Sequence, residues 1–358
     1  MRQHARFKAA HPGCLLFFRM GDFYELFDDD AVTVHKAIGL TLTRRSEGVP
    51  MAGVPYHAVE GYLRRLIDQG FRVAVCEQME DPALAKGVVK REVTRVLTPG
   101  TLVDESLLDE SRSNLLGAVV IDGEGPAASG ALALAEISTG AFTLHRLPAK
   151  LACDELARLA PNELLVPEGP LHPLVAEHST RTGCAVTHRP PWTFRQREAA
   201  ELLRESFGVA SLGGFGLDDS DPVVAPAGAL VRYLRETQAP ATTTADAAVP
   251  AAAGPLRHLR PPRLIEASQH LLIDATSLRS LEIERTMRSG GTEGSLLSTL
   301  QRARTAMGKR LLRQWLCFPL GERSAIEARQ RMVAALVADA EFAASLAAQL
   351  DGVQGAAQ

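Results

Sequence analysis

The stretch from residue 14 to residue 27 has the sequence CLLFFRMGDFYELF. Its apolar run, Cys14–Phe18, has the length and the aromatic content of a buried strand. Gly21 and Asp22 end the run, because Gly and Asp are both typical of turns. We therefore predict a strand over residues 14–18, followed by a helix from Phe23 to Lys36 with Asp22 as its N-cap.

Aromatic residues make up only 5% of the chain, yet five of them fall within this stretch. Burial statistics favour the protein core for Phe17, Phe18, Leu26 and Phe27. The same statistics favour a core position for Phe23, although it follows a glycine turn. Composition alone therefore predicts packing here rather than a binding site.

The composition is that of a folded protein with two or three domains, since the chain has 358 residues, 46% of them hydrophobic. A formal net charge of −3 neither requires nor excludes a nucleic-acid partner, because local patches decide that. The five cysteines include no C-x-x-C pair, which excludes a disulfide scaffold and a compact cysteine zinc site. Without a secretory signal or an apolar run of ~18–20 residues, we expect a cytoplasmic protein with no membrane partner.

The predicted secondary structure of the first 110 residues mixes helix and strand. A helix is predicted for Ala58–Gln69, and strands for Phe71–Cys76 and Glu92–Leu97. The segment Val49–His57 is bracketed by prolines and could present groups to a ligand, but a tight connection explains it more simply. Within it we predict a loop over Pro50–Pro55.

The next region predicts a sheet with helices packed on it, which is an α/β arrangement. The strands are predicted at Leu115–Ile121, Ala131–Ile137, Ala141–Leu147, Glu163–Val166 and Cys184–His188, and the helices at Ala149–Leu159 and Pro222–Gln238.

The last third of the chain is predicted to be helical after a linker. Residues Ala239–Gly254 are rich in Ala, Thr and Pro, which is typical of a flexible linker or an extended loop. Apolar residues then recur every three or four positions over Ser295–Trp315 and Ala325–Leu350, and this spacing predicts two helices.

Basic residues are slightly in excess over residues 1–100, with 14 Lys and Arg against 12 Asp and Glu. A run of charges is usually a solvated face. Contact with phosphates is the alternative, and the candidates for DNA-backbone contact are Arg44, Arg45, Lys86, Lys90 and Arg91.

Four motifs occur in order in the first 101 residues: FFRMGDFYELF, VPMAGVPYHAVEGYL, VAVCEQMEDP and VTRVLTPGT. In this order they closely resemble the N-terminal domain of the MutS family of DNA mismatch-repair proteins. The similarity continues in Glu136–Gly140 and Glu155–Leu165, which resemble the connector domain of that family. It extends to Leu272–Ile283 and Thr305–Leu320, which resemble the start of its helical core.

The resemblance implies a multidomain protein with mixed α/β and α+β parts. A mixed α/β mismatch-recognition domain would occupy residues 1–110, and a ribonuclease-H-like connector domain residues 111–238. A linker or loop would follow at 239–262, and then the first part of an all-α core (lever) domain at 263–358. The family's clamp and ATPase domains would lie beyond Gln358.

The resemblance also overturns the core prediction for one aromatic residue. In the family, the Phe of the G-D-F-Y-E motif wedges into the duplex and stacks on a mispaired base, and the Glu two residues later bonds that base. These positions are Phe23 and Glu25 here. A mismatched base stacks and pairs poorly, so prying it apart and kinking the duplex costs less than at a paired step.

The family couples mismatch binding to ATP and Mg²⁺ in a C-terminal domain, but no G-x-x-x-x-G-K-S/T motif occurs in these 358 residues. The nearest Gly-rich segment, Ser289–Gly294, lacks the lysine. We therefore expect no catalytic residue, metal site or cofactor in this chain. The implied partners are double-stranded DNA with mismatches or small loops, a second copy of the family protein, and the mismatch-repair protein MutL.

Two other classes of function remain open on the residues alone. Glu136 lies on a predicted strand of the ribonuclease-H-like region and Asp122 in a predicted turn beside Gly123, and paired acids can hold Mg²⁺ for phosphodiester cleavage. A purely protein-binding module is the second alternative, in which the Phe-rich motif is core. An exposed Phe23 beside Glu25 and basic residues would favour the wedge, whereas a buried Phe23 would favour the module.

Overall fold

A computed structural model describes residues 2–45, 48–80, 87–102, 107, 113–123, 129–238, 256, 259–265 and 270–351. We call residues 2–102 the first unit, residues 113–238 together with 263–265 the second unit, and residues 270–351 the third unit. Two candidates fall wholly or mainly outside these ranges, namely Lys86 and the linker predicted at 239–262.

The first unit is a six-stranded sheet with strand order β3-β4-β2-β1-β5-β6. Strands β1 and β5 are parallel, and the other neighbours are antiparallel. In chain order its elements are α1 (Arg2–Ala10), β1 (Cys14–Met20), β2 (Phe23–Phe27), α2 (Asp28–Ile38), β3 (Leu42–Arg44), β4 (Pro50–Pro55), α3 (Val59–Ile67), β5 (Arg72–Gln78) and β6 (Arg91–Leu97).

The two faces of the first sheet are covered unequally. On one face Tyr24 and Leu26 pack with residues of α2 and α3 such as Val34 and Leu63. On the other face α1 covers part of the sheet through Phe7. This partial cover decides which side chains of β2 reach the surface.

The helix predicted from Phe23 is wrong over its first five residues. Residues 23–27 form β2, which pairs with β1, and the helix begins at Asp28 with Phe27 at its N-cap in place of Asp22. Gly21 lies at φ +59° in the turn, a conformation that glycine adopts without strain. The chain therefore turns back onto β1 as an antiparallel strand.

The loop predicted over Pro50–Pro55 is also wrong, because these residues form β4 between β2 and β3. Proline lacks the N–H that a strand donates to its neighbour and is therefore confined to strand ends and edges. Both prolines occupy the ends of β4, so the ladder between them is intact.

The second unit is a mixed six-stranded sheet with strand order β11-β10-β7-β8-β9-β12, flanked by helices on both faces. This arrangement fits the ribonuclease-H-like connector and confirms the α/β prediction. Its elements are β7 (Leu115–Asp122), β8 (Ser129–Glu136), β9 (Ala141–Pro148), α4 (Ala149–Leu159), β10 (Glu163–Pro167), α5 (Pro173–Thr182), β11 (Ala185–Arg189), α6 (Gln196–Phe207), α7 (Val224–Gln238) and the returning strand β12 (Arg263–Ile265).

The third unit is helical, as predicted, but each long predicted helix is divided in two. Its helices are α8 (Ala275–Ser280), α9 (Leu296–Leu300), α10 (Ala306–Cys317), α11 (Arg323–Ala338) and α12 (Ala340–Leu350). The side chains of Thr305 and Asp339 cap the restarted helices by accepting from the N–H groups of Gly308 and Phe342, at 3.0 and 2.9 Å. Such caps satisfy amide groups that the start of a helix leaves unpaired.

Contacts between side chains and backbone join the third unit to the second. Asp154 Oδ1 accepts from the N–H of Ala275 at 2.9 Å, and Arg313 Nη2 donates to the carbonyl of Arg158 at 3.2 Å.

In the described part of the chain, no single helix has both the length and the apolar composition of a membrane span. The pair α11 and α12 meets that test only together, with a bend of 100° between them.

Candidate nucleic-acid interface

Phe23 is an exposed aromatic residue of the first unit, with 47% of its surface accessible. Alternate residues of a strand share a face, so Phe23, Glu25 and Phe27 lie on the same side of β2. Phe27 is only 1% exposed, because α1 covers that end of the face and the His4 ring meets the Phe27 ring edge-on at 5.0 Å. Helix α1 stops short of the other end, and Phe23 is left at the surface.

The turn that carries Phe23 is held on both sides. The N–H of Gly21 donates to Gln78 Oε1 at 2.9 Å, and the N–H of Tyr56 donates to the carbonyl of Asp22 at 2.9 Å. A Cβ added at Gly53 would lie 3.7 Å from Phe23 Cδ1, so the ring lies beside this glycine of β4. The backbone below the ring is therefore fixed, as an inserting side chain requires.

Glu25 lies two residues further along the same face and is partly buried. Its Oε2 is 3.7 Å from Arg45 Nη1 and accepts no hydrogen bond from the described residues. The guanidinium of Arg45 also lies over the Phe27 ring, 5.5 Å from its centroid. This buried oxygen thus has unused hydrogen-bonding capacity, and it belongs to the face of β2 that also carries the exposed Phe23.

Two further residues border the Phe23 turn, and neither was predicted from the sequence as a site residue. The guanidinium of Arg19 lies over the ring of Tyr56, 4.2 Å from its centroid, and Tyr56 is 48% exposed. A signal for Arg19 was present, because it is the one charged residue within an otherwise apolar strand. Tyr56 carried no such signal, because it is brought near the Phe23 turn only by the pairing of β4 with β2.

The buried neighbour of Phe23 has a structural role. Tyr24 points to the opposite face, and its hydroxyl donates to Glu77. Burial, followed by this hydrogen bond, raises the pKa of Tyr24 to about 12. The phenol therefore stays protonated near neutral pH, and its hydrogen bond links β2 to β5 across the intervening strand β1.

The basic candidates are not gathered in one place. Arg45 lies beside Glu25, whereas Arg44 is exposed on the edge strand β3, opposite Pro50 at the far end of β4. Lys90 is exposed and pairs with Glu92 at 2.9 Å. Their contact with a DNA backbone stays a prediction.

Arg91 is engaged inside the first unit. Its Nε donates to the carbonyl of Arg19 at 2.7 Å, and its guanidinium lies 5.1 Å from the centroid of the Phe18 ring. These contacts join β6 to β1, so they give Arg91 a structural role in addition to any contact with phosphate.

Three family models match the chain, in order along the sequence. MutS domain I matches residues 1–106, MutS domain II residues 114–245 and MutS domain III residues 276–355. The chain belongs to the MutS family. The resemblance drawn from the sequence motifs is thereby confirmed.

Curated relatives bear the name DNA mismatch repair protein MutS. This chain is 44% identical over 337 residues to that of Myxococcus xanthus, covering 92% of this chain and 36% of the relative. It is 38% identical over 359 residues to that of Chlorobaculum tepidum (99% and 39%) and 38% over 361 residues to that of Symbiobacterium thermophilum (98% and 39%). The chain thus spans less than two fifths of the length of these MutS proteins.

The positions of Asp122 and Glu136 do not support the nuclease alternative, because the two carboxylates are far apart. Asp122 pairs with Ser129 and Glu136 pairs with Leu115, so the two acids lie at opposite ends of the β7–β8 hairpin. Seven residues at about 3.4 Å each separate them by roughly 24 Å. One metal ion cannot bridge that distance, and Glu136 is buried and accepts instead from the Thr139 hydroxyl at 2.8 Å.

Among the described residues, no site fits the ATP and Mg²⁺ that the resemblance to the MutS family implies. The sequence has no phosphate-binding motif with its lysine. Within the described ranges, no group of three or more His, Cys, Asp or Glu side chains could hold a metal ion.

Proposed function

We propose that this chain binds mismatched or unpaired bases in double-stranded DNA through the exposed ring of Phe23, in the service of DNA mismatch repair. The observation that carries the proposal is the position of Phe23, half exposed on a fixed turn in a chain of the MutS family. A protein-binding module with Phe23 in its core does not account for this exposure.

In the proposed mechanism, the protein recognises a site by how easily the duplex deforms there and not by its base sequence. An apolar wedge that enters from the minor groove must unstack one base step, at a cost of a few kcal/mol. A mispaired base has already lost part of its stacking and pairing, so the same insertion costs less there. One ring can therefore select many different mispairs in any sequence context, and the duplex kinks at the site.

Glu25 is proposed to accept a hydrogen bond from the base against which Phe23 stacks. We expect Glu25→Ala to weaken mismatch binding less than removal of the Phe23 ring does. A hydrogen bond to a charged group contributes about 1.5–3 kcal/mol, and part of this contribution is offset when the carboxylate leaves Arg45. Competition binding with mismatched and paired duplexes measures the change.

Glu25→Gln is the matched variant, because it keeps the size and the acceptor oxygen but removes the charge next to Arg45. We expect it to keep more of the mismatch preference than Glu25→Ala. A loss in Glu25→Ala larger than that in the Phe23 variant would reverse the roles that we assign to the two residues.

We also expect the 358-residue chain to show no ATP turnover, because it lacks the phosphate-binding motif. A phosphate-release assay on the purified chain, with and without mismatched DNA, tests this expectation. Turnover that purifies with the chain would contradict it. Coupling to ATP, a homodimer and the docking of MutL are proposed by analogy with the full-length relatives, of whose length this chain spans less than two fifths.

A further inference from the structure

A buried carboxylate lies at the junction of the first and second units. Glu163, the first residue of β10, is 0% exposed. Its Oε2 accepts from the hydroxyl of Thr98 and from the N–H of Gly100 at 3.1 Å. Both donors belong to the turn that follows β6 in the first unit.

The other oxygen of Glu163 faces its own unit. Oε1 accepts from the hydroxyl of Thr187 on β11 at 2.6 Å and from the hydroxyl of Tyr233 on α7 at 2.6 Å. Oε2 thus accepts hydrogen bonds from the first unit and Oε1 from the second, so the carboxylate accepts four hydrogen bonds in all. A buried charge is tolerated only when it is hydrogen-bonded in this way.

The turn of the first unit is seated directly on the backbone of the second. A Cβ added at Gly100 would lie 2.9 Å from Glu163 Cβ and 3.1 Å from Leu116 Cα, so no side chain fits there. Gln238, the last residue of α7, donates from Nε2 to the carbonyl of Thr101 at 3.2 Å. The contact is therefore close as well as polar.

Two cations flank this junction, one from each unit. The guanidinium of Arg72 on β5 lies 5.7 Å from the centroid of the Tyr233 ring, and that of Arg189 on β11 lies 5.2 Å from it. Burial raises the pKa of Tyr233 well above its ordinary value, and the neighbouring Glu163 raises it further. The phenol therefore remains a neutral donor to Glu163.

We infer that Glu163 is a positioning residue that locks the first unit to the second in a single orientation. A tilt imposed on the first unit by a kinked duplex is then passed to the second unit, because the junction does not absorb it. This consequence rests on the proposed function, whereas the rigid junction itself does not.

The test measures the distance between the units in the absence of DNA. Nitroxide labels are placed at Lys36→Cys on α2 and Arg197→Cys on α6, both exposed positions, in a chain that also carries Cys153→Ser. The cysteines at 14, 76, 184 and 317 are buried. Pulsed electron paramagnetic resonance on the full chain gives the width of the distance distribution.

Two matched substitutions separate a junction from ordinary packing. Thr98→Val and Thr187→Val each remove one hydroxyl bond to Glu163 with little change of shape, but only the first bond crosses between the units. We expect Thr98→Val to broaden the distribution at least twofold and Thr187→Val to leave it at the parent's width. Equal widths in the two variants, broad or narrow, would overturn the inference.

A milder variant covers the case in which Thr98→Val does not fold. Gln238→Ala removes only the bond to Thr101 and is expected to broaden the distribution less, whereas an unchanged width would count against the junction. Mismatch preference of the unlabelled parent is measured separately. Its absence would refute the proposed function while leaving the distance result to decide the junction.

Discussion

Phe23→Ala is expected to lower the affinity of this chain for a mismatched duplex about 5- to 150-fold and to bring its mismatch preference close to one. Stacking of a base on an aromatic ring contributes about 1–3 kcal/mol by alanine substitution, and about 1.4 kcal/mol is a tenfold change. Binding to fully paired duplex is expected to persist and to weaken with salt, because phosphate contacts drive it. Competition binding at fixed salt measures both quantities.

The Phe23 ring is half exposed, so Phe23→Ala is expected to unfold at the temperature of the parent chain. A control is Trp192→Ala, which removes a comparably exposed aromatic side chain (45%) from the second unit and is expected to leave mismatch preference unchanged. Phe23→Leu keeps an apolar wedge without a ring to stack and is expected to give an intermediate loss. The same mismatch preference in Phe23→Ala and in the parent would remove the basis of the proposed function.

Gly228→Ala is expected to destabilise the second unit by about 3 kcal/mol, at the upper end of the usual cost of overpacking. Gly228 lies where α7 crosses α6, and a Cβ there would lie 2.5 Å from Ala199 Cα and 2.3 Å from Ala199 Cβ. The obstacle includes backbone, so relief requires the two helices to move apart. Urea unfolding followed by far-ultraviolet circular dichroism measures the loss.

The matched control is a glycine in another helix. Gly61 on α3 is exposed, and a Cβ there would meet nothing within 4 Å. Gly61→Ala is expected to stabilise the first unit by about 0.5–1 kcal/mol, because alanine loses less backbone entropy in a helix. Destabilisation of both variants, or of neither, would contradict the argument from the helix crossing.

Much of the fold could be predicted from apolar periodicity, because a buried strand or an amphipathic helix is a local pattern. The strands at β5, β6 and β7 and the helices α3 and α4 were predicted within a few residues of their observed bounds. The prediction was wrong at β2. The helix that begins at Asp28 was predicted to begin five residues earlier, at Phe23, so the strand before it was missed. Strand β4 was missed because its terminal prolines are equally typical of a loop.

The candidate site was only partly accessible to the same reasoning. Phe23 and Glu25 were identified through a family motif, whereas burial statistics had assigned Phe23 to the core. Tyr56 and the Gln78 side chain adjoin the site through strand pairing between segments far apart in the sequence, whereas Arg19 lies in the neighbouring strand of the same hairpin. No local pattern reports such neighbours.

The sequence by itself determined the family, through ordered motifs, and the buried elements, through periodicity. The tertiary structure decided which side chains of one face remain exposed. Phe23 and Phe27 share a face of β2, yet α1 buries only Phe27. The tertiary structure also placed a neighbouring helix against Gly228 and open space beside Gly61. It brought Thr98 to Glu163, 65 residues away in the sequence. The physical reason is that burial and hydrogen bonding depend on what packs against a residue, and packing partners come from distant parts of the chain.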